Sequence, residues 1–479
     1  MQGFHDFQGA RVTVMGLGRF GGGVGVTQWL CAQGADVLVT DKDPAERLAD
    51  SIAQIEPLVR SGRARLRLGG TDDNPHQVAD FTDTDLVVAN PAVPRPWENR
   101  YLRAAHAAAV PVTTEIRLLV ERLPRRERVV GITGSAGKST TSAMTHAALS
   151  VAGRRAHLGG NFGGSLLGHL AHIREDDWVV LELSSAMLHW LAKDAGFPGA
   201  RGWSPGVAVV TNFSPNHLDW HGELGHYASS KMQILRDQRP GDHAVMLAAL
   251  SQWPGQVRQT AVQFPPSGHR VEWINYADLD DTGPIATPGK HNRLNAAFAR
   301  RVASIAGVGM FEAIDAIARF PGLPHRLERI GEFPCPGGPA GAKVVAFNDS
   351  KSTTPESAAL AIAAMEDETA IGAVRTRLIC GGYDKKIDLS RMAAPAARCA
   401  GVYAIGATGP TLASLVRSAG GRARDCATLE AAVEAVAAEA RPGDCVLLSP
   451  GCASWDQFEH FEQRGQRFVE LVRSRFGVR

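Results

Sequence analysis

Little in this chain is suited to covalent crosslinking. Among 479 residues there are seven cysteines, Cys31, Cys335, Cys380, Cys399, Cys426, Cys445 and Cys452, and no two form a C-x-x-C pair. An odd, scattered set excludes a disulfide framework and a zinc site, and it fits a reducing compartment. An excess of one charge is also missing. With 51 basic and 49 acidic side chains the formal charge is +2, and without a long single-sign run no nucleic-acid partner is expected. No stretch of about 18 uninterrupted apolar residues occurs, so no membrane-spanning helix is expected. The opening MQGFHDFQGARVTVMGLG lacks a basic segment followed by an apolar one. No secretion signal is expected there, and the cytoplasm is the expected compartment. Tandem repeats and low-complexity tails are absent too. What remains is 44% apolar, enough to bury several cores, at a length that suits two to four domains of about 100–200 residues each.

Three blocks of the chain open alike, with a β-branched strand running into a glycine-rich or polar turn. The first begins RVTVMGLGRFGGGVG (11–25) and continues to ADVLVTD (35–41) and TDLVVAN (84–90), which ends at the proline-rich PAVPRP. The second starts near Thr114 and holds VVGITGSAGKSTTSAM (129–144), DWVVLEL (177–183) and GVAVVTN (206–212). The third follows FPGLPHRLERIGEF (320–333) and holds VVAFND (344–349), TRLICGG (376–382), GVYAIG (401–406) and DCVLLSPG (444–451). Ahead of its first strand, PCPGGPAGA (334–342) reads as an exposed hairpin loop. Strands alternating with helical stretches predict an α/β fold of parallel sheets with right-handed crossovers. Near-continuous apolar strands predict sheets covered on both faces. Ligands of such sheets bind beyond the strand carboxyl ends. Gly16, Asp41, Asn90, Gly134, Glu182, Asn212, Asp349 and Gly381 all fall there.

Gly16-Leu17-Gly18-Arg19-Phe20-Gly21 is a G-x-G-x-x-G after a strand, with Asp41 twenty residues beyond its last glycine. Bare amides at a helix start suit a diphosphate, and the carboxylate suits a hydroxyl; a tight turn without a ligand is the alternative. The segment 129–144 is more specific. Gly134, Ser135, Ala136 and Gly137 offer backbone amides, Lys138 a cation for β/γ-phosphates, and Ser139 a hydroxyl for Mg²⁺. It misses the G-x-x-x-x-G-K-[ST] loop at one point, where Ile132 stands in place of the first glycine. That mismatch predicts a tighter loop than the one in most kinases and GTPases.

Glu182 closes one strand, His217 lies after another, and Lys231 sits in YASSKMQIL (227–235). An ammonium repels Mg²⁺, so Lys231 joins a cation site only as the carbamate formed from its neutral amine and CO₂, an oxygen donor for a hard cation. Asn292 and Asn295 stand at helical i, i+3 spacing in GKHNRLNAAFA (289–299) and either bond a base or cap a helix. Arg326, Asp349, Lys351 and Lys385 form a polar, partly cationic rim that suits an anionic ligand or plain solvent.

Taken together, these residues resemble the Mur ligases of peptidoglycan synthesis, in order and over nearly the whole chain. That family carries the shortened loop G-[TS]-N-G-K-[ST]-T, which accounts for Ile132. LLSPGCASWDQFEHFEQRGQRF (447–468), GLPHRLE and NDSKST are similar to the motifs of its D-glutamate-adding branch. The resemblance implies three domains: a Rossmann-like one over 1–114 for a UDP-sugar, a central P-loop ATPase domain with a mostly parallel sheet over 115–322, and a Rossmann-like, amino-acid-binding one over 323–479. It implies ATP, two Mg²⁺ ions and a carbamate on Lys231 as cofactors, UDP-N-acetylmuramoyl-L-alanine and D-glutamate as substrates, and a monomer.

By the same resemblance, residues 134–140, Thr140 included, with Asn292, Asn295, Arg326 and Asp349, contact ATP. Gly16, Gly18, Asp41, Lys42, Asn90 and Asn161 contact the UDP-sugar, and Thr353, Lys385, Ser454 and Phe461 the amino acid. Ser139, Glu182, His217 and Lys231 hold metal, with Lys138, His217 and Lys231 as the catalytic set. The sequence departs from the family pattern at Ala136 (usually Asn), Asn216 (usually Asp), Ala186-Met187 (usually Phe-Gln) and STTPES (352–357). Two other classes compete with this reading. An NAD-dependent oxidoreductase rests on residues 16–21 and Asp41 but leaves the phosphate loop unexplained. A non-catalytic nucleotide-binding regulator rests on the departures at Ala136 and Asn216.

Overall fold

A computed structural model of the protein describes residues 6–19, 21–70, 75–151, 153–252, 270–277, 279, 283, 285–367 and 372–477; Phe20, in the first glycine-rich turn, lies outside them. Three sheets carry the fold. The first joins β1 (Arg11–Met15), β2 (Asp36–Asp41), β3 (Ala64–Leu68), β4 (Leu86–Ala89) and β5 (Val112–Thr113) in the order β3-β2-β1-β4-β5, all parallel. The second joins β6 (Val129–Thr133), β7 (Ala156–Gly160), β8 (Trp178–Glu182), β9 (Val207–Val210), β10 (His243–Leu247) and β11 (Arg270–Ile274) as β11-β10-β9-β6-β8-β7, again all parallel. The third comprises β12 (Glu328–Pro334), β13 (Lys343–Asn348), β14 (Thr376–Gly381), β15 (Gly401–Ile405), β16 (Ala423–Ala427) and β17 (Cys445–Leu448), ordered β12-β13-β17-β14-β15-β16. Its one antiparallel pair is the hairpin β12–β13, closed by the glycine- and proline-rich loop, with Cys335 tucked inside it.

The strand sequences explain these placements. Val129–Thr133, Trp178–Glu182 and Val207–Val210 are buried at every residue, as interior parallel strands must be. In β17 the two-residue period splits the side chains: Cys445 and Leu447 join the apolar cluster on one face of the sheet, Val446 and Leu448 the cluster on the other.

The chain divides into two compact units, Met1–Asp278 with Ala297–Ala313, and Leu279–Ala296 with Ile314–Arg479. The first unit holds the first two sheets, tied by a buried guanidinium. Arg117, on helix Glu115–Val120, donates to the carbonyls of Trp190 (2.8 Å), Ala192 (2.8 Å) and Arg201 (2.9 Å). Among the described residues no helix is long and apolar enough to cross a membrane.

Candidate active site

The phosphate loop lies at the carboxyl end of β6. Gly134 has φ +156°, and a Cβ there would collide with the Thr211 hydroxyl, so only glycine fits. Gly137, at φ +80°, caps the helix Lys138–Leu149 without a side chain. The first amides of that helix have no intrahelical acceptor and carry its positive dipole end, a ready anion site. Asn212, at the end of β9, grips the loop. Its Oδ1 accepts from the amides of Ser135 (3.0 Å) and Ala136 (2.9 Å), and its Nδ2 donates to the Ala136 carbonyl (3.0 Å). Thr211 Oγ1 donates to the same carbonyl at 2.7 Å. The loop at Ala136 is therefore held through its backbone. Lys138 Nζ folds back onto the carbonyls of Gly134 (3.0 Å) and Ser135 (3.4 Å).

Lys231, on helix Leu224–Arg236, enters from below. Its side chain is 1% exposed and donates to Gly134 O at 2.8 Å. Burial lowers its pKa from the usual lysine range to about 6; Lys138 adds to the shift and Glu182 opposes it. The amine is thus largely neutral at pH 7. Glu182, the last residue of β8, is 1% exposed; Oε1 accepts from Asn161 Nδ2 at 2.8 Å, while Oε2 is buried without a hydrogen-bond partner. A buried carboxylate oxygen with nothing to bond is costly, and a cation would relieve it. His217 has φ +52°, rare for a non-glycine residue, and its amide is held by Asn216 Oδ1 at 2.8 Å. At position 216 the asparagine that departs from the usual aspartate thus holds the backbone of His217. Burial, Lys138 and Lys231 together lower the His217 pKa, against Asp219.

Among the described residues no three His, Cys, Asp or Glu side chains converge into a ready metal cage. This fits Mg²⁺, which is held by one or two protein ligands and completed by substrate phosphates. Ser139, Glu182, His217 and Lys231 are the residues that would hold it.

At the first sheet, the glycine-rich turn is built as the sequence predicts, but Asp41 does more than wait for a hydroxyl. Its Oδ2 accepts from Gly18 N and its Oδ1 from Asp43 N, both at 2.9 Å, so it braces the turn. Lys42 follows it directly at the strand end. Asn90 Nδ2 reaches Gly16 O at 3.4 Å, and a Cβ on Gly16 would lie 2.9 Å from the Asn90 Cβ, too close to tolerate. Asn161 bonds Glu182, which places it at the carboxyl end of β8.

In the second unit, three adjacent parallel strands, β13, β17 and β14, deliver the rim residues. Thr353 follows β13, Ser454 follows β17 and Lys385 follows β14. Arg464, 1% exposed, joins the first two loops: its guanidinium donates to Ser350 Oγ (3.1 Å), Ser350 O (2.9 Å), Cys452 O (3.1 Å) and Ala453 O (3.1 Å). Ser350 Oγ in turn donates to Phe461 O at 2.7 Å. Tyr383 N bonds Ala453 O at 2.9 Å and brings in the β14 loop, and Lys385 Nζ lies 4.9 Å from the Trp455 ring centre. Asp349 accepts from Ser449 Oγ (2.7 Å) and Leu327 N (3.2 Å); burial pushes its carboxyl up to about 7 against these bonds and against Arg326. Arg326 sits between His325 and Leu327, both at positive φ, in a sharp turn. Asn292 Nδ2 donates to Pro288 O (2.8 Å) and its Oδ1 accepts from Asn295 (3.3 Å).

STTPES departs from the family pattern for a local reason: Thr354 and Ser357 cap the helix Pro355–Asp367 reciprocally, with proline at its first position. Sequence reasoning gave no role to Asn212, Arg464 or Tyr227. Asn212 stands out in the sequence only as a strand-end polar residue; Arg464 lies within the C-terminal block 447–468, whose likeness to the family motif is its signal, and Tyr227 has none of its own.

Comparison with known proteins follows the same geography. Residues 132–303 match the family described as Mur ligase middle domain, and residues 325–452 the one described as Mur ligase, glutamate ligase domain. The chain is 35% identical to the UDP-N-acetylmuramoylalanine–D-glutamate ligase of Ruegeria pomeroyi, covering 98% of both chains. It is 34% identical to the proteins of that name from Roseiflexus sp. and Gloeobacter violaceus, with 97% of this chain and 99% of each relative covered. Among solved structures it resembles the UDP-N-acetylmuramate-alanine ligase of Thermotoga maritima (17% identity, TM-score 0.56, 97% and 99% covered). It also resembles the MurF ligase of Thermotoga maritima solved with ADP (15% identity, TM-score 0.54, 99% of both). At these identities the structural matches speak for the fold alone.

Proposed function

The chain belongs to the Mur ligase family, and we propose that it joins D-glutamate to UDP-N-acetylmuramoyl-L-alanine at the expense of ATP, in peptidoglycan precursor synthesis. The observation that carries this reading is the convergence at one phosphate loop of Lys138, a largely neutral buried Lys231 amine and a Glu182 oxygen without a partner. A redox site has no use for such a set, which removes the oxidoreductase alternative. A regulator would need nucleotide contacts but no acid-activating cation site.

A carboxylate is a poor electrophile, and an ammonium is not a nucleophile. The terminal alanyl carboxylate of the UDP-sugar attacks the γ-phosphorus of ATP; the bond to the β,γ-bridging oxygen breaks and ADP leaves, giving an acyl phosphate. Lys138 and the helix start behind it face the charge that accumulates on the transferring group. Bound Mg²⁺, two ions in this reading, would supply further charge neutralisation and would be held by Ser139, Glu182, His217 and the carbamate of Lys231. Lys231, buried and neutral, is set up to take CO₂ as a carbamate, which turns a cationic residue into an oxygen donor beside Glu182 and His217. His217 serves as a ligand rather than a base.

The free amine of D-glutamate then attacks the acyl carbon, and the tetrahedral intermediate collapses to amide and inorganic phosphate. Thr353, Lys385, Ser454 and Phe461 form the acceptor site, with Lys385 opposite a side-chain carboxylate that alanine lacks. Asn292, Asn295, Arg326 and Asp349 are assigned to ATP, and Gly16, Gly18, Asp41, Lys42, Asn90 and Asn161 to the UDP-sugar. In this reading the domains run 1–114, 115–322 and 323–479. The test is an acceptor panel of D-Glu, L-Ala, D-Ala and L-Lys with phosphate release as readout. D-Glu should win decisively, and preference for another acceptor would move the chain to a different branch of the family.

A further inference from the structure

One group of aromatic rings in the first unit has no part in the chemistry above. Trp97 lies on the loop after β4, where Arg95 adopts φ +43° directly before Pro96, a conformation the chain rarely accepts. The indole is contacted by rings on three helices that follow strands of the second sheet: His226 at 4.4 Å between centres, His189 at 5.4 Å and Trp220 at 5.7 Å. Trp220 Nε1 in turn donates to Pro91 O at 3.1 Å, next to Asn90. Yet Trp97 remains 41% exposed. An indole fixed by three rings and still open to solvent has the form of a platform rather than of core.

Its position says what would lie on it. On one side, through Pro91 and Asn90, the loop reaches the Gly16–Gly18 turn assigned to the diphosphate. On the other, a run of rings leads from His226 to His221 (5.0 Å) and Tyr227 (5.2 Å); Tyr227 Oη meets Ser135 Oγ at 2.9 Å, and Lys231 Nζ lies 4.8 Å from the Tyr227 ring centre. A nucleotide sugar anchored by its diphosphate at the glycine turn, with its carboxylate at Glu182 and Lys231, must carry its hexosamine ring across the stretch between them.

We infer that the open face of the Trp97 indole is the stacking platform for that sugar ring, and so a specificity-determining residue for the nucleotide sugar. One face of a hexopyranose presents a patch of C–H groups whose partial positive charge matches the negative face of an aromatic ring. This inference rests on the ligase reading.

The test compares UDP with UDP-N-acetylmuramoyl-L-alanine by calorimetric titration on the full chain and on Trp97→Ala and Trp97→Phe. Trp97→Ala should weaken the nucleotide sugar about tenfold, in line with an aromatic stacking contact, and leave UDP within about twofold. Trp97→Phe should recover most of the loss, and KM for ATP and D-glutamate should not move. Unchanged affinity for the nucleotide sugar in Trp97→Ala would overturn the inference. So would an equal loss for UDP and the nucleotide sugar, which would mean that Trp97 only joins the two sheets or stacks on the base. If Trp97→Ala unfolds, Trp97→Phe and Trp97→Leu decide by the same ratio, since only a stacking role separates the planar from the branched side chain. Wild-type turnover with ATP and D-glutamate is the control: if it is absent, the ligase reading fails together with this one, and if present, a null result at Trp97 sinks this inference alone.

Discussion

Lys231 shows how burial alone prepares a residue for chemistry. Taking its ammonium out of water favours the neutral amine, and the neutral amine is what reacts with CO₂. Labelled ¹³CO₂ should therefore give one carbamate resonance at pH 8, absent from Lys231→Arg, and the signal should fade as the pH falls through about 6 and the amine protonates. The same shift has a sign in stability. The unfolded chain binds a proton at this lysine up to about pH 10.4, the folded one only to about 6, so between those values folding releases a proton and stability rises with pH. Lys231→Met should remove that slope. Denaturant midpoints should show the variant gaining most over wild type near pH 6–7 and least above pH 10; a pH-independent difference would mean that the amine is not perturbed. The sequence motif pointed to Lys231, but burial against Gly134 and the partnerless Glu182 oxygen come only from folding.

At the scale of elements, the loops rather than the strands carry the fine adjustment. Asn212 binds the phosphate loop through three hydrogen bonds. Asn212→Ala should raise KM for ATP about tenfold or more, the loss of roughly 1 kcal/mol per bond being partly offset by water, with KM for D-glutamate unchanged. Arg464 has the matching task in the other unit, where it is the buried clamp between the β13 and β17 loops. Arg464→Met would strand buried carbonyls and should cost about 3 kcal/mol, read as a lowered melting temperature with a raised KM for D-glutamate. Most interior strands were readable as apolar, often β-branched runs, with β10 (HAVML) an exception, and the strand-to-turn junctions were readable as glycine motifs. Strands β3 and β16 were not. Both lie at sheet edges, half in water: ARLRL alternates but carries no β-branched or aromatic residue, and ARDCA shows neither an apolar run nor an alternation. The ring cluster around Trp97 was equally hidden, because its members come from separate segments that only the packing of two sheets brings together.

At the scale of the whole molecule, the proposed reading gives each of the three sheets its own ligand at its carboxyl ends: the diphosphate at the first, the triphosphate at the second and the amino acid at the third. Such an arrangement makes sense only if the three ligands meet in one reaction. ATP turnover without both other substrates should accordingly be slow, and the acyl phosphate should form before any amide. The most direct test supplies ATP, Mg²⁺ and UDP-N-acetylmuramoyl-L-alanine with and without D-glutamate, and counts ADP against new amide. The account predicts one ADP per amide bond and almost none when either acceptor or sugar nucleotide is left out. ADP released at the same rate without D-glutamate, or amide formed without ADP, would contradict it.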